Sequence, residues 1–354
     1  MLRVASRPAR KARLLGVLIA LLAGGCRPDT PPSEMVDETR VVMGSSLRIA
    51  VATTRRTEAS AAIGDAFAEL ERLEALLTVW RETSDISRLN AAAGTGRPVA
   101  VAEDTVRLLG IAQEAGRATD GKFDVTFGAL SDVWRFDHDQ DSIVPSPDAI
   151  AARLPLIDYT RLHVDGQRRE ASIDTPGVRV HLGGIGKGYA VDRAAAVLRV
   201  RGFPDFLIQA GGDLYASGRH GARAWRVGIQ DPRGAPDESF ATIEVENETV
   251  STSGDYERYF EHDGVRYHHL LDPDTGWPAT GVRSVTVVAP RAVDADWLST
   301  GVFIMGPEQG LALVEARPDV GAVIVTASGE LRVSSRLRDR LQVQHLPRAD
   351  APVK

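Results

Sequence analysis

Residues 249–278, TVSTSGDYERYFEHDGVRYHHLLDPDTGWP, constrain the fold of this chain more than any other stretch. Two strand-like arms, Tyr256–Glu261 and Arg266–Leu271, flank His262-Asp263-Gly264, whose Asp-Gly pair suits a tight reversal. A hairpin of this kind demands local antiparallel pairing. A second turn, Asp272-Pro273-Asp274-Thr275-Gly276, follows a His pair within the same thirty residues. A proton carrier, carboxylates and hydroxyls held by tight turns are more chemistry than a core needs, so the segment is also a candidate site.

Helical periods surround the hairpin. Thr57 to Trp80 places Ile63, Ala66, Phe67, Leu70, Leu73, Leu76 and Leu77 on one face, and Glu103 to Ala118 is a second amphipathic helix ended by Asp120-Gly121. Ser84 to Asn90 reads as a capped turn. Strands are expected at Val41–Thr53, Val178–Leu182, Phe206–Gln209, Trp225–Gln230, Phe240–Val245, Val282–Ala289 and Ala322–Thr326. Further helices are expected at Ala190–Arg201, Asp294–Met305 and Pro307–Ala316. No repeat or low-complexity boundary divides residues 41–345, which are read as one large mixed α+β domain of antiparallel hairpins and helices on a common core.

The N-terminus is read separately. Arg3, Arg7, Arg10, Lys11 and Arg13 precede a short apolar run, Leu14–Ala23, and then Gly24-Gly25-Cys26. That is the pattern of an export signal, because the run is too short to span a bilayer. Cys26 is the sole cysteine of the chain, which excludes an internal disulfide and a thiolate metal cluster. It is either incidental to a cleavage site or, as expected here, the lipid-modified residue of a bacterial lipoprotein, since the segment resembles a lipobox. Residues 1–25 are then the signal peptide, 26–40 a Pro-rich tether to the membrane, and 346–354 a C-terminal tail. Removing residues 1–25 takes the formal charge from -6 to -11, which argues against nucleic acid as a partner. The expected location is the periplasmic face of the cell envelope.

Three further features carry chemistry. Gly183-Gly184-Ile185-Gly186-Lys187-Gly188 lies between a strand and a helix, where backbone N–H groups can hold a phosphate; a plain tight connection is an equal reading. Asp296 and Thr300 fall at i and i+4 of a helix and so share a face, a pairing that suits a hard cation, although a solvated first-turn acid is the plainer account. Asp294 is a candidate N-cap of that helix. His268 and His269 alternate along a strand, so one of them is structural and the other, beside Asp272, is a candidate general base. Trp80 and Trp134 read as packing residues.

Motifs in order along the chain resemble the ApbE family, the FAD:protein FMN transferases. They are Val42-Met43-Gly44-Ser45, SDISRLN (84–90), GKFDVT (121–126), LGGIGKGYAVD (182–192), AGGD (210–213), WRVGIQDP (225–232), TSGDY (252–256), HLLDPDTG (269–276) and ADWLST (295–300). The resemblance implies an exported lipoprotein that uses FAD and Mg²⁺. It would transfer FMN to a Thr or Ser hydroxyl of a target protein and release AMP. Such targets are typically subunits of membrane electron-transport complexes such as Na⁺-translocating quinone reductase. It further implies that Met43, Trp80, Lys122, Phe123, Asp124, His181 and Leu271 lie along the FAD, and that Lys187 faces its pyrophosphate. Gly184, Asp296 and Thr300 would hold Mg²⁺, with Ser299 nearby, while His269 and Asp272 serve the reacting centre. His181 stands where relatives often carry Asp. A hydrolase that gives free FMN and AMP, and a flavin-binding lipoprotein without catalysis, are the alternatives.

Overall fold

The computed structural model describes residues 34–136 and 139–350. Residues 1–33, which include the expected signal peptide and Cys26, and residues 137–138 and 351–354 lie outside the described residues.

The chain opens on an antiparallel hairpin, β1 (Glu34–Val42) and β2 (Ser45–Thr53). Met43 and Gly44 at its tip have φ of 54° and 68°, the left-handed pair that a two-residue hairpin turn requires. The expected tether therefore ends before Glu34, and the expected single strand at 41–53 is the end of the first arm, the turn and the second arm of a hairpin. Residues 34–40 look like a tether because an edge strand buries only part of one side: Val36 and Val42 are buried while the charges face water.

Helices α1 (Arg56–Leu77), α2 (Asp85–Ala91) and α3 (Glu103–Ala118) follow, with the short strand β3 (Val99–Ala100) before α3. The expected capped turn at 84–90 is thus a helix, with Ser84 Oγ accepting from the Ser87 amide at 3.0 Å. After α4 (Pro147–Ala151), strands β4 (Leu162–Asp165) and β5 (Glu170–Ile173) complete a small sheet with β3. Residues 178–182 make one isolated bridge, Phe127 to Arg179, rather than the expected strand. Helix α5 (Gly186–Val200) starts inside the glycine run, four residues earlier than its pattern suggested. Then come β6 (Phe206–Ala210), β7 (Asp213–Ser217), β8 (Trp225–Gln230), β9 (Ser239–Val245) and β10 (Glu248–Gly254). The hairpin foreseen in the sequence is β11 (Tyr259–His262) with β12 (Val265–His268). The chain continues through β13 (Val282–Ala289), α6 (Ala292–Met305), α7 (Pro307–Glu315), β14 (Gly321–Thr326), β15 (Leu331–Val333) and β16 (Leu341–Val343). No helix of the described residues is long and apolar enough to cross a membrane.

An antiparallel sheet in the order β1-β2-β6-β7-β10-β13-β14-β15 organises the α+β fold. All eight residues of β13 are buried, which reflects cover on both faces of the sheet. The two-residue period divides them: Val285, Val287 and Ala289 join the core shared with α1, α5 and α6, while Val288 joins a second core with Trp225, Ile229 and Phe240 of the β8-β9-β16 sheet. The layers are therefore helices, main sheet and small sheet.

Candidate active site

Helices α5 and α6 meet at glycine. The Gly188 amide donates to Asp296 Oδ2 at 2.8 Å, and a Cβ built on Gly188 would stand 2.3 Å from the Ala292 carbonyl oxygen and 2.7 Å from Asp296 Cβ. Neither obstacle is a flexible side-chain end, so Gly188→Ala must push α5 from α6. We expect a loss of about 1–3 kcal/mol in denaturant unfolding; a variant as stable as the parent would contradict this packing. The start of α6 is fixed by Asp192 of α5, which accepts from the Ala292 and Val293 amides at 2.8 and 3.0 Å. Asp294, the expected cap, instead pairs with Arg291 at 2.6 Å.

Asp296 is buried, and its neighbours explain its charge state. Burial raises its pKa most, the nearby Asp213 carboxylate raises it further, and Lys187 opposes both, leaving it at about 7. Lys187 pairs with Asp213 at 2.6 Å. Burial works against the lysine's charge, but the two carboxylates outweigh it and hold its pKa above the ordinary value. Asp213 and Asp296 repel each other beside Lys187, with the Arg258 charge also felt there, and a bound cation would relieve that repulsion.

Hydroxyls complete the pocket. Ser251 and Ser253 share one face of β10; Ser251 bonds to Asp213, and Ser253 Oγ lies 2.8 Å from Ser299 Oγ and 3.3 Å from Thr300 Oγ1. Gly184 abuts Thr300, since a Cβ there would sit 3.2 Å from both Thr300 Oγ1 and the Phe123 ring. Among the described residues no three His, Cys, Asp or Glu side chains cluster as metal ligands. The donors here are carboxylate, hydroxyl and backbone oxygen, a set that fits a hard cation such as Mg²⁺.

The other wall is built on the β11–β12 hairpin. An aromatic cluster of Trp134, Phe136, Phe260, Tyr267 and Trp277 supports it, and Trp134 Nε1 donates to the Gly276 carbonyl at 2.8 Å. Trp134 is thus a packing residue, whereas Trp80 is 61% exposed and is not in the core. The two histidines separate as alternation requires. His268 is buried, with Nε2 3.1 Å from the Ala279 carbonyl and Nδ1 accepting from the Leu270 amide at 3.3 Å, so both nitrogens are occupied. His269 Nδ1 lies 3.2 Å from the Arg258 carbonyl. A carbonyl only accepts, so Nδ1 carries the hydrogen and Nε2 presents its lone pair. Burial, then the charges of Arg258 and His268, keep the His269 pKa well below the usual histidine value, so the ring is neutral at neutral pH.

Some expected roles change in this geometry. Asp272 does not orient His269: its carboxylate pairs with Lys122 Nζ at 2.8 and 3.0 Å, with Asp274 adding a second partner to the lysine at 2.8 Å. Burial opposes the Lys122 charge, but these ion pairs dominate and raise its pKa. Asp124 braces its own loop, accepting from Thr126 Oγ1 and amide at 2.6 and 2.7 Å and from the Tyr159 amide at 2.8 Å. That leaves it a structural anchor rather than a carboxylate offered to a ligand. Leu271 is buried with Trp134 and Phe260 in the aromatic cluster. Met43 reaches the start of α5, its Cε 3.8 Å from where a Gly186 Cβ would stand. His181 holds the glycine run, its Nδ1 accepting from the Gly183 amide at 3.1 Å. Asp213, Ser251 and Ser253 had no assigned role in the sequence reading. Their signals were a carboxylate directly after a Gly pair and serines two apart on a strand.

The ApbE family model matches residues 43–324, and the chain belongs to the ApbE family. It is 34% identical to an FAD:protein FMN transferase of Treponema pallidum over 93% of this chain and 95% of the relative. A Klebsiella pneumoniae protein of the same name is 33% identical over 90% of this chain and 93% of its own length. Among solved structures, the ApbE protein of Thermotoga maritima superposes with a TM-score of 0.78 at 34% identity, covering 87% of this chain and 99% of that one. The flavin transferase ApbE of Vibrio cholerae also gives 0.78, at 29% identity over 87% and 100% of the two chains.

Proposed function

We propose that this protein is an FAD:protein FMN transferase that moves the FMN half of FAD onto a Thr or Ser hydroxyl of a target protein and releases AMP. One observation carries the chemistry: a neutral His269 with its Nε2 lone pair directed away from the Arg258 carbonyl, on the wall beside a buried Asp296–Asp213–Lys187 cluster. The acceptor O–H attacks the phosphorus of the FMN half, the bond from that phosphorus to the AMP oxygen breaks, and the acceptor proton passes to His269 Nε2. Lys187 stands at the start of α5 to meet pyrophosphate oxygens. Gly184, Asp296 and Thr300 would hold Mg²⁺, which when bound neutralises charge on the pyrophosphate. Met43, Trp80, Lys122, Phe123 and His181 are the residues assigned to FAD contact.

The export pattern and Cys26 support a lipid-anchored protein on the periplasmic face of a bacterial envelope, within reach of membrane electron-transport subunits as acceptors. Incubation with FAD, Mg²⁺ and an acceptor subunit tests the reaction through the mass of the acceptor.

The raised Asp296 pKa sets a pH dependence for the cation. Below about pH 7 the carboxyl takes up a proton that the cation must displace; above it the carboxylate is already charged. Apparent Mg²⁺ affinity should therefore fall about tenfold per unit as pH drops below 7, and level off above it. Calorimetric titration from pH 5.5 to 8.5 reads this directly, and a flat profile would exclude Asp296 as the ligand.

A further inference from the structure

Residues 346–350, the described part of the expected C-terminal tail, are fastened to the domain together with the residues just before them. The Gln344 amide donates to the Phe240 carbonyl at 2.9 Å, and the Arg348 amide reaches both carboxylate oxygens of the buried Asp231 at 3.3 and 3.1 Å. The Arg348 carbonyl accepts from Arg283 Nη1 at 2.8 Å. Asp350 then pairs with Arg283 Nη2 at 2.6 Å and with Arg233 Nε.

Asp350 thereby joins a line of charges that leads to His269. Arg233 grips Asp255 through both terminal nitrogens, at 2.7 and 2.8 Å. The Asp255 amide donates to the Arg283 carbonyl at 3.0 Å, and Arg266 of β12 approaches the Asp255 carboxylate at 3.6 Å. Asp255 opens the turn that ends at Arg258, whose carbonyl receives both the His269 amide at 3.1 Å and its Nδ1. The fork on Asp255 is a directional contact that fixes orientation as well as distance.

The Arg283 side chain is 5% exposed, and its Nε has no hydrogen-bond partner. Its compensation is the Asp350 carboxylate and one carbonyl. Deprived of Asp350, a buried guanidinium seeks the next carboxylate, because an unpaired buried charge is costly. Asp255 is one guanidinium away, since Arg233 binds both it and Asp350. We infer that Asp350 is a positioning residue: by occupying Arg283, it leaves Asp255 to Arg233 and so fixes the turn that orients His269.

The kinetic part of this inference rests on the transferase reading; the structural part does not. In the full-length protein, Asp350→Asn should displace the His269 imidazole nitrogen signals in NMR of histidine-labelled protein while leaving those of His163 in place. It should also lower kcat about tenfold at unchanged KM for FAD. Asp350→Glu should restore both, and so should Asp350→Asn combined with Arg283→Met, which removes the competing cation. Unchanged His269 signals in Asp350→Asn would overturn the inference whatever the turnover. So would activity that falls only in proportion to the unfolded fraction, or a double variant no better than Asp350→Asn. Wild-type protein that transfers no flavin would refute the transferase reading, while the positioning role would still be decided by the imidazole signals.

Discussion

Asp296→Ala is expected to abolish flavin transfer, with a loss of about 10³-fold or more, the scale on which removing a preorganised charge from a reacting centre acts. Two effects combine in that variant. The carboxylate proposed to hold the cation disappears, and the Gly188 amide loses its acceptor at the tightest point of the α5–α6 packing. A buried amide left without a partner costs about 1–3 kcal/mol on its own. Asp296→Asn separates the two, because an amide oxygen still accepts from Gly188 while the charge is gone. We expect Asp296→Asn to melt close to the parent, to bind Mg²⁺ undetectably by calorimetry and to be inactive. An Asp296→Asn protein with parental turnover at limiting Mg²⁺ would place the cation elsewhere.

His269→Ala should lower kcat by about 10²–10⁴-fold, the range of general-base catalysis, and leave FAD affinity within about twofold. The ring is proposed to accept a proton in the transition state rather than to grip the flavin. Its depressed pKa gives the sign of the accompanying pH effect. A base that is neutral well below pH 6.5 stays competent through neutral pH, so wild-type kcat should lose activity only on the acid side as the imidazole takes up a proton. Fluorescence titration of FAD alongside kcat reads both quantities. Lost FAD binding would make His269 a ligand contact instead. His268→Ala, by contrast, removes a buried ring bonded to Ala279 and Leu270, and its cost should appear in melting temperature first.

Much of this was legible in the sequence, for identifiable reasons. Helix α3 and strand β13 have the limits their patterns gave, since each is a long run of one clear period. The hairpin was marked by its Asp-Gly turn, and alternation alone separated His268 from His269. Strand β1 was hidden because an edge strand buries few side chains and so reads as polar linker. Helix α5 began earlier than expected because its first turn is glycine-rich: Gly188 is there for close approach to α6, which local propensity cannot register. The carboxylates were least legible. Whether Asp272 faces His269 or Lys122 depends on a residue 150 positions away, and Asp124 is taken up by an amide 35 positions on. Asp213 carried no role until Lys187, Ser251 and Asp296 converged on it. Residue type and spacing nominate such groups, but only the packed sheet and helices decide their partners.

The central claim is transfer of FMN to protein, and intact-mass analysis of an acceptor subunit incubated with this protein, FAD and Mg²⁺ tests it most directly. The account predicts a gain equal to FMN less water on one Thr or Ser, with an equivalent of AMP released, and a gain slowed about 10²–10⁴-fold when His269→Ala replaces the parent. FMN appearing free in solution with AMP while the acceptor mass stays unchanged would contradict it and identify a hydrolase; intact FAD throughout would contradict the catalytic reading altogether.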